Sequence, residues 1–200
     1  MCKKVTDSHP KLSNLMAYYR MDQSSGSTLY DLAGGNHGTL TNMTNADWVT
    51  SGASLGDASD HSYGNSASAN HVFSGGSSFT ATATNGFSAT EGLHVYFVSA
   101  APNVLTKPIG VDSILSTSGY FGVHKVAETL DDYKIVLDYS GVTFTKDQRD
   151  KLVLLKRDND QDATWEVVSG RINNKTSSRT ITVHGQTGTP YVLGFPSTNY

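Results

Sequence analysis

An all-β chain, folded mainly as an antiparallel β-sandwich, is predicted by three observations. The composition pairs 19 glycines and many Ser, Thr, Asn and Tyr residues with only 16% charged residues, which suits short strands and tight turns better than helices. Apolar residues make up 37% of the 200-residue chain, enough for a packed core. Beyond residue 77, short alternating segments recur about every 8–15 residues with turn signals between them, the spacing of a sandwich.

Taken in order, Leu15-Met-Ala-Tyr-Tyr-Arg-Met21 is apolar and aromatic and reads as a strand buried on both faces. Ser24-Ser-Gly-Ser-Thr28 and Ala33-Gly-Gly-Asn-His-Gly38 read as turns around Leu29-Tyr30, because Gly and Asn tolerate left-handed backbone. Residues 58–76 carry little periodicity and read as a boundary region. Strands are expected at 78–83, 92–98, 120–124, 133–139, 151–157, 164–168, 180–184 and 191–195. In Lys134-Ile-Val-Leu-Asp-Tyr139 the alternation places Ile135, Leu137 and Tyr139 on one face. Val153 and Leu155 face Trp165 and Val167 across a hairpin whose tip is Asp158-Asn-Asp-Gln-Asp162. Ala100-Ala-Pro-Asn and Lys107-Pro-Ile-Gly interrupt pairing and form a crossover. Helix is confined to one turn near residues 146–151 and one near the N-terminus.

The stretch Leu15-Met-Ala-Tyr-Tyr-Arg-Met-Asp22, followed by Ser24-Ser-Gly-Ser-Thr-Leu-Tyr-Asp31, Gly34-Gly-Asn-His-Gly-Thr-Leu-Thr41 and Asp47-Trp-Val-Thr-Ser-Gly52, resembles the closing segment of a laminin-G-like, concanavalin A-like jelly-roll domain of large secreted bacterial surface proteins. In that family the segment follows most of the jelly roll, so the resemblance implies a piece of a larger protein, with residues 1–57 a partial jelly-roll segment. Gly92-Leu-His-Val-Tyr, Tyr120-Phe-Gly-Val, Leu154-Leu-Lys-Arg before Trp165 and Tyr191-Val-Leu-Gly194 are similar to immunoglobulin-like β-sandwich repeats in surface proteins of gliding, type IX-secreting bacteria. The domain organisation expected is therefore 1–57 closing segment, 58–76 boundary and 77–200 immunoglobulin-like sandwich.

A net charge of −3 without a basic stripe argues against nucleic acid as partner. No run approaches the ~20 apolar residues that cross a bilayer, so membrane insertion is not expected. A single cysteine, Cys2, cannot close an internal disulfide. The 18 acidic residues fall mostly in turn-like segments, and no pair is placed for glycoside hydrolysis. The seven histidines are scattered singly; His94, His124 and His184 fall in expected strands, where solvent-facing or satisfied core roles are commoner than ligation. No Gly-x-Ser-x-Gly elbow stands in strand-to-helix context, and Gly34-Gly-Asn-His-Gly38 lacks the Lys-Ser/Thr of a phosphate loop and reads as a turn. The expectation is a protein that is not an enzyme.

Calcium needs six to eight oxygen donors, which loops supply from carboxylates, amides and carbonyls. Asp22, Asp31 and Asn36 lie on successive turns that the jelly-roll resemblance would bring together, and they form the candidate calcium set. Asp158-x-Asp160-x-Asp162 has alternating acids but neither the glycine nor the final Glu of an EF-hand, Val168 standing in that last position. Carbohydrate would stack on aromatic rings beside polar groups. Tyr18, Tyr19, Tyr30, Trp48 and Tyr63 are available, with Tyr30 and Trp48 the chosen ligand-binding pair.

The resemblances imply a non-enzymatic segment of an extracellular or cell-surface bacterial protein, engaged in adhesion or carbohydrate recognition, with the sandwich as spacer or repeat. Its partners would be cell-surface glycans or neighbouring protein repeats, with a homo-oligomer open. The alternatives are a purely structural fibre or appendage subunit, favoured by exposed strand edges after Tyr191 or before Val95, and an accessory module of a secreted polysaccharide hydrolase.

Overall fold

The computed structural model describes residues 5–6, 8–48, 55–72, 76–84, 87–100, 102, 106, 108–114, 119–126, 133–158, 162, 164–168, 172–175, 177–186 and 189–196. Two compact units are present, one of Lys4–Ser51 and one built on Gly52–Tyr200.

The smaller unit has little regular structure. A 3-10 turn spans Leu12–Asn14, and a hairpin pairs β1 (Thr28–Leu29) with β2 (Gly38–Thr39) in the register Thr28↔Thr39 and Leu29↔Gly38. A second 3-10 turn at Asn45–Asp47 is closed by a capping box, in which Asp47 accepts from the Thr44 amide at 2.6 Å and the Thr44 hydroxyl at 2.9 Å. The expected doubly buried strand at 15–21 is not formed. Met16 is 90% and Met21 65% exposed, and the segment makes only an isolated bridge, Tyr19↔Asp31. Met21 has a φ of 54°, left-handed backbone that ends the extension. Asp31 is the one buried residue among those described between 5 and 48, so apolar sequence here does not become an apolar interior.

The larger unit is an antiparallel sandwich of two sheets. One contains β3 (Ala58–Tyr63), β6 (Gly92–Val98), β8 (Tyr120–Val126), β14 (Thr189–Pro196), β10 (Val153–Lys156) and β11 (Glu166–Val167) side by side, with β7 (Val111–Ile114) also on β14. The other runs β4 (Ser68–Val72), β5 (Ser78–Ala83), β9 (Tyr133–Asp138), β13 (Thr180–Gln186), β12 (Ile172–Lys175). A single helical turn, α1 (Lys146–Asp150), begins at a Thr145/Gln148 capping box, which is why this polar run turns where it does.

Alternation drives the packing. Tyr133, Ile135 and Leu137 face inward from β9, buried Tyr139 follows just beyond its end, and Phe79 and Ala81 of β5 are buried likewise. Leu93 and Val95 of β6, Val123 of β8 and Leu154 of β10 meet them from the other sheet. Phe79 stacks on Phe121 at 4.8 Å between ring centres, Phe121 lies 5.4 Å from Phe97, and His71 lies 5.5 Å from Phe97, which ties both sheets near their β3/β4 margin.

The stretch 58–76 is a correction. It holds β3 and β4, both integral to the sandwich, rather than a boundary. Buried Ala67 and Ala69 alternate with exposed Ser68 and Asn70, an edge-strand pattern carried by residues too small and polar to announce a strand. A second correction concerns edges: β14 lies between β10 and β8, and β6 between β3 and β8, so neither Tyr191 nor Val95 sits on an open edge. At the β3/β4 margin, Asp60 accepts from the Asn70 amide at 2.9 Å and occupies a backbone donor that an added strand would need.

The outer side of the larger sheet carries a second apolar cluster, Val111, Tyr120, Leu155 and Trp165, with Val98 and Val153 against it. The Arg157 guanidinium, 2% exposed, is held 4.7 Å from the Trp165 ring centre and 5.3 Å from that of Tyr120. Trp165 donates its backbone amide to Thr106, and Thr106 bridges Thr164 in parallel, so the crossover anticipated around the Pro-containing segments is fastened beside this cluster.

Candidate functional site

In the smaller unit, Asp31 is an organising carboxylate. Its Oδ1 accepts the backbone amides of Tyr18 (2.8 Å) and Ala33 (2.9 Å), and its Oδ2 those of Gly34 (3.1 Å) and Asn36 (3.0 Å). These donors, Tyr18 and Ala33 foremost, lower its pKa to about 2. Asp22, the second of the calcium candidates, pairs with Arg20, and Asn36 meets Asp31 through its backbone nitrogen. The carbonyl of Asn36 accepts from the Tyr19 hydroxyl at 2.5 Å. Both oxygens of Asp31 are therefore spent on folding the 31–36 turn and fastening it to the Tyr18 backbone. Among the described residues, no three His, Cys, Asp or Glu side chains are grouped as a metal site requires.

Tyr30 is half exposed and meets His37 edge-on at 5.3 Å; the His37 Nδ1 accepts the Asp31 amide at 3.1 Å. Trp48 is partly buried, and its Nε1 is enclosed with no hydrogen-bond partner among the described residues. The structure gives no contact between Tyr30 and Trp48. In the acidic hairpin tip, Asp158 is exposed and the Asp162 carbonyl accepts from Arg157 at 3.4 Å, while Asp160 lies outside the described residues.

The larger sheet assembles a constellation that no reading of isolated positions reveals. The β3–β6 register pairs His61 with His94, and the β6–β8 register pairs His94 with His124. Three imidazoles thus form a row across adjacent strands on the outer face. The His61 and His94 rings stack 5.3 Å apart at 22°, and His94 and His124 meet at 6.3 Å and 72°. His94 is only 7% exposed, whereas His61 and His124 are exposed on either side of it.

Tyr63 completes the row. It is paired with Gly92, and a Cβ on Gly92 would fall 2.6 Å from the Tyr63 ring, so the ring lies directly over the glycine. This posture carries the hydroxyl to His94 Nε2 at 2.7 Å and leaves 46% of Tyr63 exposed. One step further along β6, Tyr96 lies over its own cross-strand partner Gly122 in the same way. Burial, the largest cause, lowers the pKa of both His94 and His124 and favours their neutral forms. Asp60 and Lys125, which alternate with the row, belong to the opposite face of the sheet.

Chemically, this face offers an aromatic surface, imidazole donors and acceptors, and a floor fixed by six and seven consecutive cross-strand pairs. Comparison with protein-family models, with curated proteins and with solved structures gives no match. The geometry of the chain itself therefore carries the functional argument. The signal that could have located the row is register: three histidines in three strands become neighbours only when the strand order and pairing are known.

Proposed function

We propose that this chain is a non-enzymatic recognition segment of an extracellular bacterial surface protein, serving adhesion or carbohydrate recognition, with the sandwich also acting as spacer or repeat. The observation that carries this reading is the outer face bearing His61, Tyr63, His94 and His124. Exposed rings and hydrogen-bonding nitrogens are held there on a pre-formed sheet, the combination that apolar sugar faces and sugar hydroxyls call for. Tyr30, beside His37 on the Asp31-pinned turn, offers a second exposed ring.

Two measurements test it. An antibody against residues 61–200 should detect, in the source cells, a polypeptide much larger than 21.4 kDa that is cleaved by protease added outside intact cells. The purified chain should be retained on immobilised glycans. A protected 21.4 kDa band overturns the surface reading, and absence of retention on a broad glycan panel overturns recognition. The fibre alternative predicts instead concentration-dependent polymerisation without glycan retention.

A further inference from the structure

We propose that the His61–His94–His124 row is the binding site for an acidic sugar, one bearing a carboxylate or sulfate group, with Tyr63 supporting the sugar ring. This rests on the recognition reading above and narrows its ligand.

The strand alternation sends Ser59, His61 and Tyr63 of β3, Gly92, His94, Tyr96 and Val98 of β6, and Tyr120, Gly122, His124 and Val126 of β8 to the same side. Among these described residues the side chains that can carry a positive charge are all imidazoles, and none is a carboxylate. The neighbouring charged groups are engaged elsewhere. Asp60 and Lys125 are on the other face, Asp60 taking the Asn70 amide, and Glu91 at the start of β6 accepts the Ser88 amide at 2.7 Å. A neutral row becomes cationic as protons arrive, and no carboxylate stands among the described residues of that face of β3, β6 and β8; Asp60, on the opposite face, favours the charged form of His94 without contacting the row.

Geometry decides where an anion would sit. His61 and His124 are exposed and flank an almost buried His94, so each rim ring can present an N–H donor to an acidic group held over this face. His94 holds its place through the Tyr63 hydroxyl and the stacked His61 ring. The exposed part of Tyr63 lies at the β3 end of the same row, where a pyranose ring attached to that acidic group can pack. An uncharged imidazole row packs its rings closely without cost, whereas charging neighbouring rings without a counter-ion is repulsive. A bound anion removes that repulsion, so binding and proton uptake favour each other.

The test uses the whole chain and calorimetric titration with three oligosaccharides of equal length: one of a uronic acid, one sulfated and one neutral. Each is measured at pH 7.5 and pH 5.5, with His61→Gln and His124→Gln variants alongside. The expected result is binding of the uronic or the sulfated probe, at least about tenfold tighter at pH 5.5, since uptake of one proton changes affinity by up to tenfold per pH unit. The two acidic probes distinguish carboxylate from sulfate. Each variant should lose most of that pH dependence while its thermal midpoint at pH 7.5 stays near that of the parent, because both rings are exposed. Acidic-probe binding that ignores pH, or that survives both variants, overturns this site and leaves glycan recognition standing. Binding of the neutral probe alone overturns the ligand class, and binding of none of them overturns this site and counts against the recognition reading too.

Discussion

Gly122 and Tyr96 form a lock whose strength can be measured. They are cross-strand partners on β8 and β6, Tyr96 is 1% exposed, and a Cβ on Gly122 would stand 1.9 Å from Tyr96 Cζ and 2.2 Å from Cε1 and Oη. Gly122→Ala must therefore push the ring aside or part the strands. Complete eviction of a ring burying some 150–250 Å² would cost about 4–6 kcal/mol as an upper bound. Partial relaxation brings overpacking of this kind nearer 1–3 kcal/mol, and replacing a strand glycine by alanine returns about 0.5–1 kcal/mol, so the expected net loss is about 1 kcal/mol. Tyr96→Ala alone should cost about 3–5 kcal/mol through the lost aromatic packing. In that background Gly122→Ala meets no ring and should be neutral or slightly stabilising, giving a coupling of about 1–2 kcal/mol. Urea unfolding of the four proteins, followed by circular dichroism, supplies the cycle. If the two substitutions add within about 0.5 kcal/mol, the ring is not what excludes a side chain at Gly122.

Three further outcomes are expected. Trp165→Ala, which removes a 1% exposed ring facing the Arg157 guanidinium, should lower stability by about 3–5 kcal/mol; an unchanged unfolding midpoint would mean that the indole contributes no packing. Because burial lowers the pKa of His71, His94 and His124, the folded state prefers them neutral. Their contribution is complete above the ordinary histidine value of about 6.5 and declines as pH falls below it, so urea midpoints should drop between pH 7.5 and 5; a midpoint rising on acidification contradicts this. Millimolar calcium should leave the thermal midpoint unchanged, since the Asp31 oxygens are held by four amides and Asp22 faces Arg20. A rise abolished by Asp22→Asn would instead mark Asp22, Asp31 and Asn36 as calcium ligands.

Where period-2 alternation was carried by large side chains, the sequence located strands closely. β5, β6 and β9 run Ser78–Ala83, Gly92–Val98 and Tyr133–Asp138, against expected limits of 78–83, 92–98 and 133–139. α1 fell at the expected turn because its capping residues are local signals. β3, β4, β7 and β12 escaped because Ala, Ser, Asn and Lys contribute little periodic hydrophobicity, and what makes them strands is the neighbour they pair with. At residues 15–21 the opposite happened: apolar residues suggested a buried strand, but the Asp31 carboxylate and the left-handed Met21 shape that segment. The imidazole row was illegible for the same reason as β3, since its residues lie 33 and 30 positions apart and meet only through register.

The order of strands gives the sandwich a mechanical direction. β3, its first strand, is held by a single ladder to β6, whereas β14, its last, is laced to β10 on one side and to β8 and β7 on the other. Tension applied from the preceding chain would load one ladder and could peel the His61 end of the row away before the core yields. Tension from the following chain would have to break pairing on both flanks of β14 at once. If this face binds a ligand as proposed, an edge strand that detaches first would release that ligand under load while most of the fold stays closed, so that a pulled contact could re-form once the strain is relieved.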